Sequence, residues 1–281
     1  MMRPARGGWL EKARACLGLV RVSHCARIGA ILPLCLRLMP RSGVGLAAQA
    51  TASAMLVCLA AAGYALNDYF DYPADCVNVP GRPLPAGALR RVEAVPLAAV
   101  LFVAGNVLAA ALGVGAALLS ASNTLILVAY AAWSKRMGPF KNVVVLYLHS
   151  SVFLLMRAMT RQSPLLLAGL AAYAALSTYS RELIRDIHDV RGDSGVGART
   201  LPVMIGPRAA WRVGFGALLA SLAVPLWGWS QGLVNGALTI GMAVAGVAYI
   251  CAYRVLSPER RDAWIKRATW FEMVALVLGG I

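Results

Sequence analysis

A chain of 281 residues that is 59% hydrophobic and only 14% charged cannot give most of its helices a polar face, which excludes a water-soluble globular domain and puts it in the membrane class. The net charge of +15 would suit a nucleic-acid binder, but the basic residues sit in short breaks between apolar stretches, the distribution of cytoplasmic loops in membrane proteins, so nucleic acid is excluded as partner and membrane lipid is expected. The six cysteines, Cys16, Cys25, Cys35, Cys58, Cys76 and Cys251, are scattered without a CxxC pair, which excludes a zinc or disulfide framework.

In chain order, MMRPARGGWLEKARA is a basic amphipathic lead-in. Arg21 and Arg27 interrupt the apolar run behind it and no small-residue cleavage site follows, so the first helix is read as uncleaved. Stretches of about 20 apolar residues, the length that crosses a bilayer, fall near 17–38, 44–66, 92–111, 113–133, 142–160, 163–183, 209–229 and 232–255. A ninth, 268–281, has only about a dozen apolar residues, short of the usual length. The expectation is an all-α polytopic membrane protein, nine transmembrane helices around a central cavity, forming one domain over 1–281.

With the N-terminus inside, 23 of the 27 Lys and Arg residues fall on the inner side. Only Arg37, Arg41, Arg157 and Arg161 fall outside, and the last two read as interfacial snorkelling residues. That asymmetry predicts a cytoplasmic N-terminus in an inner (plasma) membrane. The longer inner loops then follow the second and sixth helices.

Those two places hold six of the seven aspartates: NDYFDYPAD at 67–75 and RDIHDVRGD at 185–193. Both have the spacing D-x-x-D-x-x-x-D, with Asp68, Asp71 and Asp75 in one and Asp186, Asp189 and Asp193 in the other. Offsets of three, four and seven put each triplet on one helix face. RPLPAG follows the first and RTLPVMIG the second, so the chain reads as an internal repeat. Two copies in one bundle can face each other across the cavity. Stacked carboxylates near a membrane are costly unless cations relieve them, and oxygen donors of this kind suit Mg2+ shared with substrate phosphates. His188 lies off the face of its triplet and His149 sits in an apolar helix, so neither reads as a metal ligand.

NDYFDYPADCVNVPGRPLPAG and RELIRDIHDVRGDSGVGARTLPVMIG resemble the two aspartate-rich motifs of the UbiA-type intramembrane prenyltransferase superfamily. The wording is nearest to the branch that makes geranylgeranylglyceryl ethers, and the resemblance covers nearly the whole chain. It implies that Asn67 and the six aspartates hold Mg2+ and the diphosphate of a polyprenyl donor, with Arg82 and Arg199 as the basic residues behind each motif. YAAWSKRMGPFKN resembles the family's Tyr and Lys-Arg segment, which makes Tyr130, Lys135 and Arg136 donor-binding residues. Arg21 and His24 lie where the family keeps its acceptor pocket, with His24 at a position where relatives commonly carry Asn.

The chemistry implied is metal-assisted departure of diphosphate, with an allylic cation faced by Tyr64, Tyr69 or Tyr130 and captured by an acceptor in an apolar cavity. The acceptor is an aromatic or quinone precursor or a glycerol-phosphate ether lipid. A terpene cyclase of the same fold would convert the donor alone. A cation- or proton-coupled transporter would instead place its acids at the midplane of broken helices.

Overall fold

The computed structural model describes residues 8–37, 43–134, 136–195, 197–254 and 258–279. Those residues form α-helices and short turns, with no strand among them. The chain divides into two compact units. One takes in Met1–Leu32 and Gly45–Ser134, and the other Pro33–Val44 and Lys135–Ile281.

The first unit begins with α1 (Trp9–Leu19) and the larger part of α2 (Val22–Arg37), whose residues from Pro33 on are assigned to the second unit; the two helices meet at a 52° bend. The first apolar stretch is thus broken inside the expected 17–38, at Val20 and Arg21, and the amphipathic lead-in is itself helical. Arg21 is the one non-glycine among the described residues with a left-handed backbone, at φ 51°, a conformation that costs an L-residue roughly 1–2 kcal/mol.

Next comes α3 (Leu46–Asn78), 33 residues long, then a turn-rich loop, a 3-10 turn over Arg91–Glu93, α4 (Ala94–Leu112) and α5 (Val114–Trp133). Helix α3 packs against α4 and α5. On α4 the inward face is Ala98, Phe102, Gly105 and Ala109, while Val100, Val103 and Val107 are each about two-thirds exposed. Branched apolar side chains outside, and inside a face that is small apart from Phe102, reverse the soluble pattern and fit a helix against lipid.

The second unit contains α6 (Phe140–Met159), α7 (Pro164–Gly195), the short α8 (Leu201–Ile205), α9 (Pro207–Ser230), α10 (Gly236–Arg254) and α11 (Pro258–Leu278). Its α7 packs against α6 and α9, and α10 against α9 and α11. A core of Leu218, Ala248, Tyr249, Ala252, Ile265 and Ala268 joins the last three. A Cβ on Gly241 would collide with Ala275, so glycine sets the closeness of α10 to α11. The last helix starts at Pro258 rather than near 268, a proline at the first helical position pre-setting its φ, and this gives it 21 residues.

Six helices are long and apolar enough to cross a membrane, and a seventh span results if the bent α1–α2 pair counts as one. Among the long helices, α7 and α11 fall outside that group; the apolar turns of α7 end in the polar run 177–181, and α11 carries Arg260, Lys266 and Arg267.

Helices α3 and α7, at 33 and 32 residues, are each about 50 Å long against a hydrocarbon core of about 30 Å. Asp68 lies 22 residues after Leu46, and Asp186 lies 22 after Pro164. Both acid triplets therefore ride on surplus helical turns, each beginning 22 residues after the first residue of its own helix. The sequence reading placed them in loops after the second and sixth spans; the helices instead run on through them.

Candidate active site

In the first unit, α3 continues through its triplet despite Pro73. Proline lacks an N–H, so the Tyr69 carbonyl four residues back loses its helical donor. Arg91 Nε supplies one at 2.9 Å, and its guanidinium also covers the Tyr69 and Tyr72 rings at 4.4 and 5.5 Å. Asn67 Nδ2 donates to Asp71 Oδ2 one turn on, at 2.7 Å.

Asp68 is 3% exposed and accepts from Arg21 Nη2 at 2.7 Å and Arg82 Nη1 at 3.4 Å. The same Arg82 nitrogen donates to Asp75 Oδ2 at 2.6 Å, so the arginine behind the motif folds back onto its first and third carboxylates. Arg21 also lies over the Tyr64 ring at 4.7 Å, and His24 meets that ring edge-on with centroids 6.2 Å apart. The ion pair and the ring contact offset the strained backbone of Arg21. Tyr64 and Tyr69 thus each turn a ring face to a guanidinium. Tyr130 is half-buried at the end of α5.

In the second unit, Asp186 is 4% exposed. Lys141 Nζ donates to its Oδ1 at 2.7 Å and Asn142 Nδ2 to its Oδ2 at 3.0 Å. Burial pushes this carboxyl above the ordinary carboxylate range, opposed by the Lys141 charge and by hydrogen bonds from Lys141 and Asn142. Asp193 is half-buried, and its Oδ2 is shielded from solvent with no hydrogen-bond donor among the described residues. Asp189 is helical, and its side chain lies outside the described part of the structure, as does Lys135.

Arg136 and Arg199 are exposed. Gly138, at φ 57°, lets the Arg199 carbonyl come so near that a Cβ there would sit 3.1 Å from it. The segment after α5 is in this way held on the chain that follows the second triplet. His188 is exposed, and His149 Nδ1 donates to the Val145 carbonyl at 2.9 Å.

Sequence reasoning missed Lys141 and Asn142 as partners of the second triplet. The signal was present at the end of the quoted segment GPFKN: a basic and an amide residue in the first turn of α6, just after a proline.

Among the described residues, no three His, Cys, Asp or Glu side chains are close enough to hold a metal ion by themselves. The donor chemistry nevertheless fits Mg2+ bound jointly with a phosphate. That ion takes oxygen ligands, uses one or two carboxylates and completes its shell with water and substrate oxygens. The shielded, undonated Oδ2 of Asp193 is such a donor.

Comparison with known proteins identifies the family and the fold. The profile of the UbiA prenyltransferase family matches residues 34–276. The digeranylgeranylglyceryl phosphate synthase of Natronomonas pharaonis is 35% identical over 226 residues, covering 78% of this chain and 79% of that protein. A structure solved in work on digeranylgeranylglyceryl phosphate synthase in membranes superposes with a TM-score of 0.73 at 25% identity, over 96% of this chain and 99% of the other. A UbiA homologue from Archaeoglobus fulgidus, solved with DMAPP and Mg2+, shares the fold at a TM-score of 0.64 and 15% identity, over 93% of this chain and 98% of the other. The chain is an integral membrane prenyltransferase and belongs to the UbiA prenyltransferase family.

Proposed function

We propose that the chain transfers a polyprenyl group from a polyprenyl diphosphate to a glycerol-phosphate ether lipid, with Mg2+ as cofactor. The observation that carries this reading is that each of the overlong helices α3 and α7 bears an aspartate triplet beyond its apolar turns, with its first carboxylate buried against basic side chains. The acceptor class is supported by relatives at about 35% identity being digeranylgeranylglyceryl phosphate synthases.

In this reading Asp68, Asp71, Asp75, Asp186, Asp189 and Asp193, with Asn67, hold the metal and the donor's diphosphate. Bound there, Mg2+ neutralises charge that builds on the departing diphosphate. Arg82, Arg199, Arg136, Lys135 and Lys141 add positive charge to the diphosphate. Tyr130 orients the donor beside them. Arg21 and His24 take the acceptor, with Arg21 leaving Asp68 to do so. Nine spans follow if α7 and α11 also cross the bilayer, with the N-terminus and both triplets on the cytoplasmic side, and residues 1–281 work as one domain.

Product analysis by mass spectrometry tests this. The purified protein is given geranylgeranyl diphosphate with glycerol-phosphate ether, phenolic or quinone-precursor acceptors. The expected product is the doubly prenylated glycerol phosphate, formed with Mg2+ and lost on chelation. Prenylation of a phenolic acceptor alone would contradict the acceptor assignment, and a cyclised hydrocarbon from the donor alone would contradict transfer.

A further inference from the structure

The second unit holds a buried polar network that the proposed chemistry does not use. Arg181, on α7, donates through Nη1 to the Tyr249 hydroxyl on α10 at 2.9 Å and through Nη2 to Thr178 Oγ1 at 2.7 Å. Glu272, on α11, lies 3.7 Å from the same guanidinium. It accepts from the hydroxyls of Tyr249 at 3.1 Å and Tyr173 at 2.9 Å. The Arg181 and Glu272 side chains are only 15% and 13% exposed, and Tyr249 is 1% exposed. Next to Arg181, the Tyr253 hydroxyl on α10 donates to the Ser180 carbonyl at 3.1 Å.

A charged pair inside an apolar helix bundle is costly to build, and replacing such a pair by apolar groups of similar volume is often neutral or stabilising. Stability alone is thus a poor reason for it. What such a pair does supply is register. Apolar faces slide past one another with little penalty, whereas hydrogen bonds of fixed length fix both height and rotation.

Arg181 precedes Asp186 by five residues, about 7.5 Å along the axis and about 140° around it. On one side α7 is tied to α10 and α11 through Tyr173, Ser180 and Arg181. On another it is tied to α6 through Lys141 and Asn142 on Asp186. The helix that carries the second triplet is therefore fixed by directional bonds on two sides.

We propose that Arg181 and Glu272 are positioning residues, which set the height and rotation of α7 so that Asp186, Asp189 and Asp193 present their oxygens to metal and diphosphate. This rests on the metal-binding role proposed for that triplet.

The test uses the full chain in lipid nanodiscs, with Mn2+ and inorganic pyrophosphate as probes and two readouts, thermal midpoint and Mn2+–pyrophosphate affinity. Glu272→Gln is expected to lower both. The Arg181→Met/Glu272→Met double substitution is expected to restore the midpoint while the affinity stays about tenfold weaker than in the unsubstituted chain, a separation that a merely structural role would not produce. Unchanged affinity in a folded double variant overturns the inference and leaves the proposed function standing. Should the double variant not fold, Tyr249→Phe and Tyr173→Phe decide in its place, with affinity about threefold weaker expected and unchanged affinity overturning. Failure of the unsubstituted chain to bind Mn2+ with pyrophosphate overturns the proposed function, and this inference with it.

Discussion

Pro73 and Arg91 show how a carbonyl left without its helical N–H donor is served by a side chain 22 positions further along the chain. The Tyr69 carbonyl that Pro73 cannot serve accepts from Arg91 Nε. Replacing Arg91 by Ala should therefore cost about 1 kcal/mol, the net worth of one hydrogen bond, together with a ring contact of similar size. In a Pro73→Ala background α3 regains its own donor, so the cost of Arg91→Ala should shrink. Thermal unfolding of the two single variants and the double variant measures this coupling, and equal costs in both backgrounds would show that the bond contributes nothing. At this scale the sequence was partly legible. The six aspartates, Arg82 and Arg21 stand out because acids are scarce and charges rare in the apolar runs. Lys141 and Asn142 do not, because their meeting with Asp186 links residues 44 and 45 positions apart, which no local spacing reveals.

Helices, rather than loops, carry both triplets. Asn67 and Asp71 bond one turn apart, Arg82 neutralises Asp68 and Asp75, and the helical ladder has reason to continue past the membrane boundary. Hydropathy marks where apolar residues stop and is blind to a helix that continues through polar ones, so spans read as 44–66 and 163–183 became Leu46–Asn78 and Pro164–Gly195. The same blindness made the last helix look too short, since its first two turns are charged. Between α10 and α11 the spacing rests on Gly241, whose added side chain would strike Ala275. Gly241→Val is expected to destabilise the second unit by roughly 1–3 kcal/mol through overpacking, seen as a lower thermal midpoint in detergent. An unchanged midpoint would mean that α11 can give way without cost.

For the molecule as a whole, composition dictated an apolar helical chain, and the charge count gave its expected orientation. Both rest on many residues acting together; the helical chain was legible for that reason without any contact being known, and the orientation stands as the expectation to be measured. Orientation can be tested directly in a chain freed of its six cysteines, with one cysteine placed at exposed Arg260 or exposed Gln231. An impermeant maleimide added outside sealed cells should label the second and spare the first. The reverse pattern would put the acid triplets on the wrong side of the membrane.

The most direct measurement of the central claim is turnover of the prenyl diphosphate by Asp71→Ala and by Asp189→Ala, each checked for unaltered helical content and thermal midpoint. Oxygen donors on both helices acting on one leaving diphosphate require that either substitution alone abolish product. Full turnover by either folded variant would contradict that requirement, and with it the metal-held diphosphate on which the proposed reaction depends.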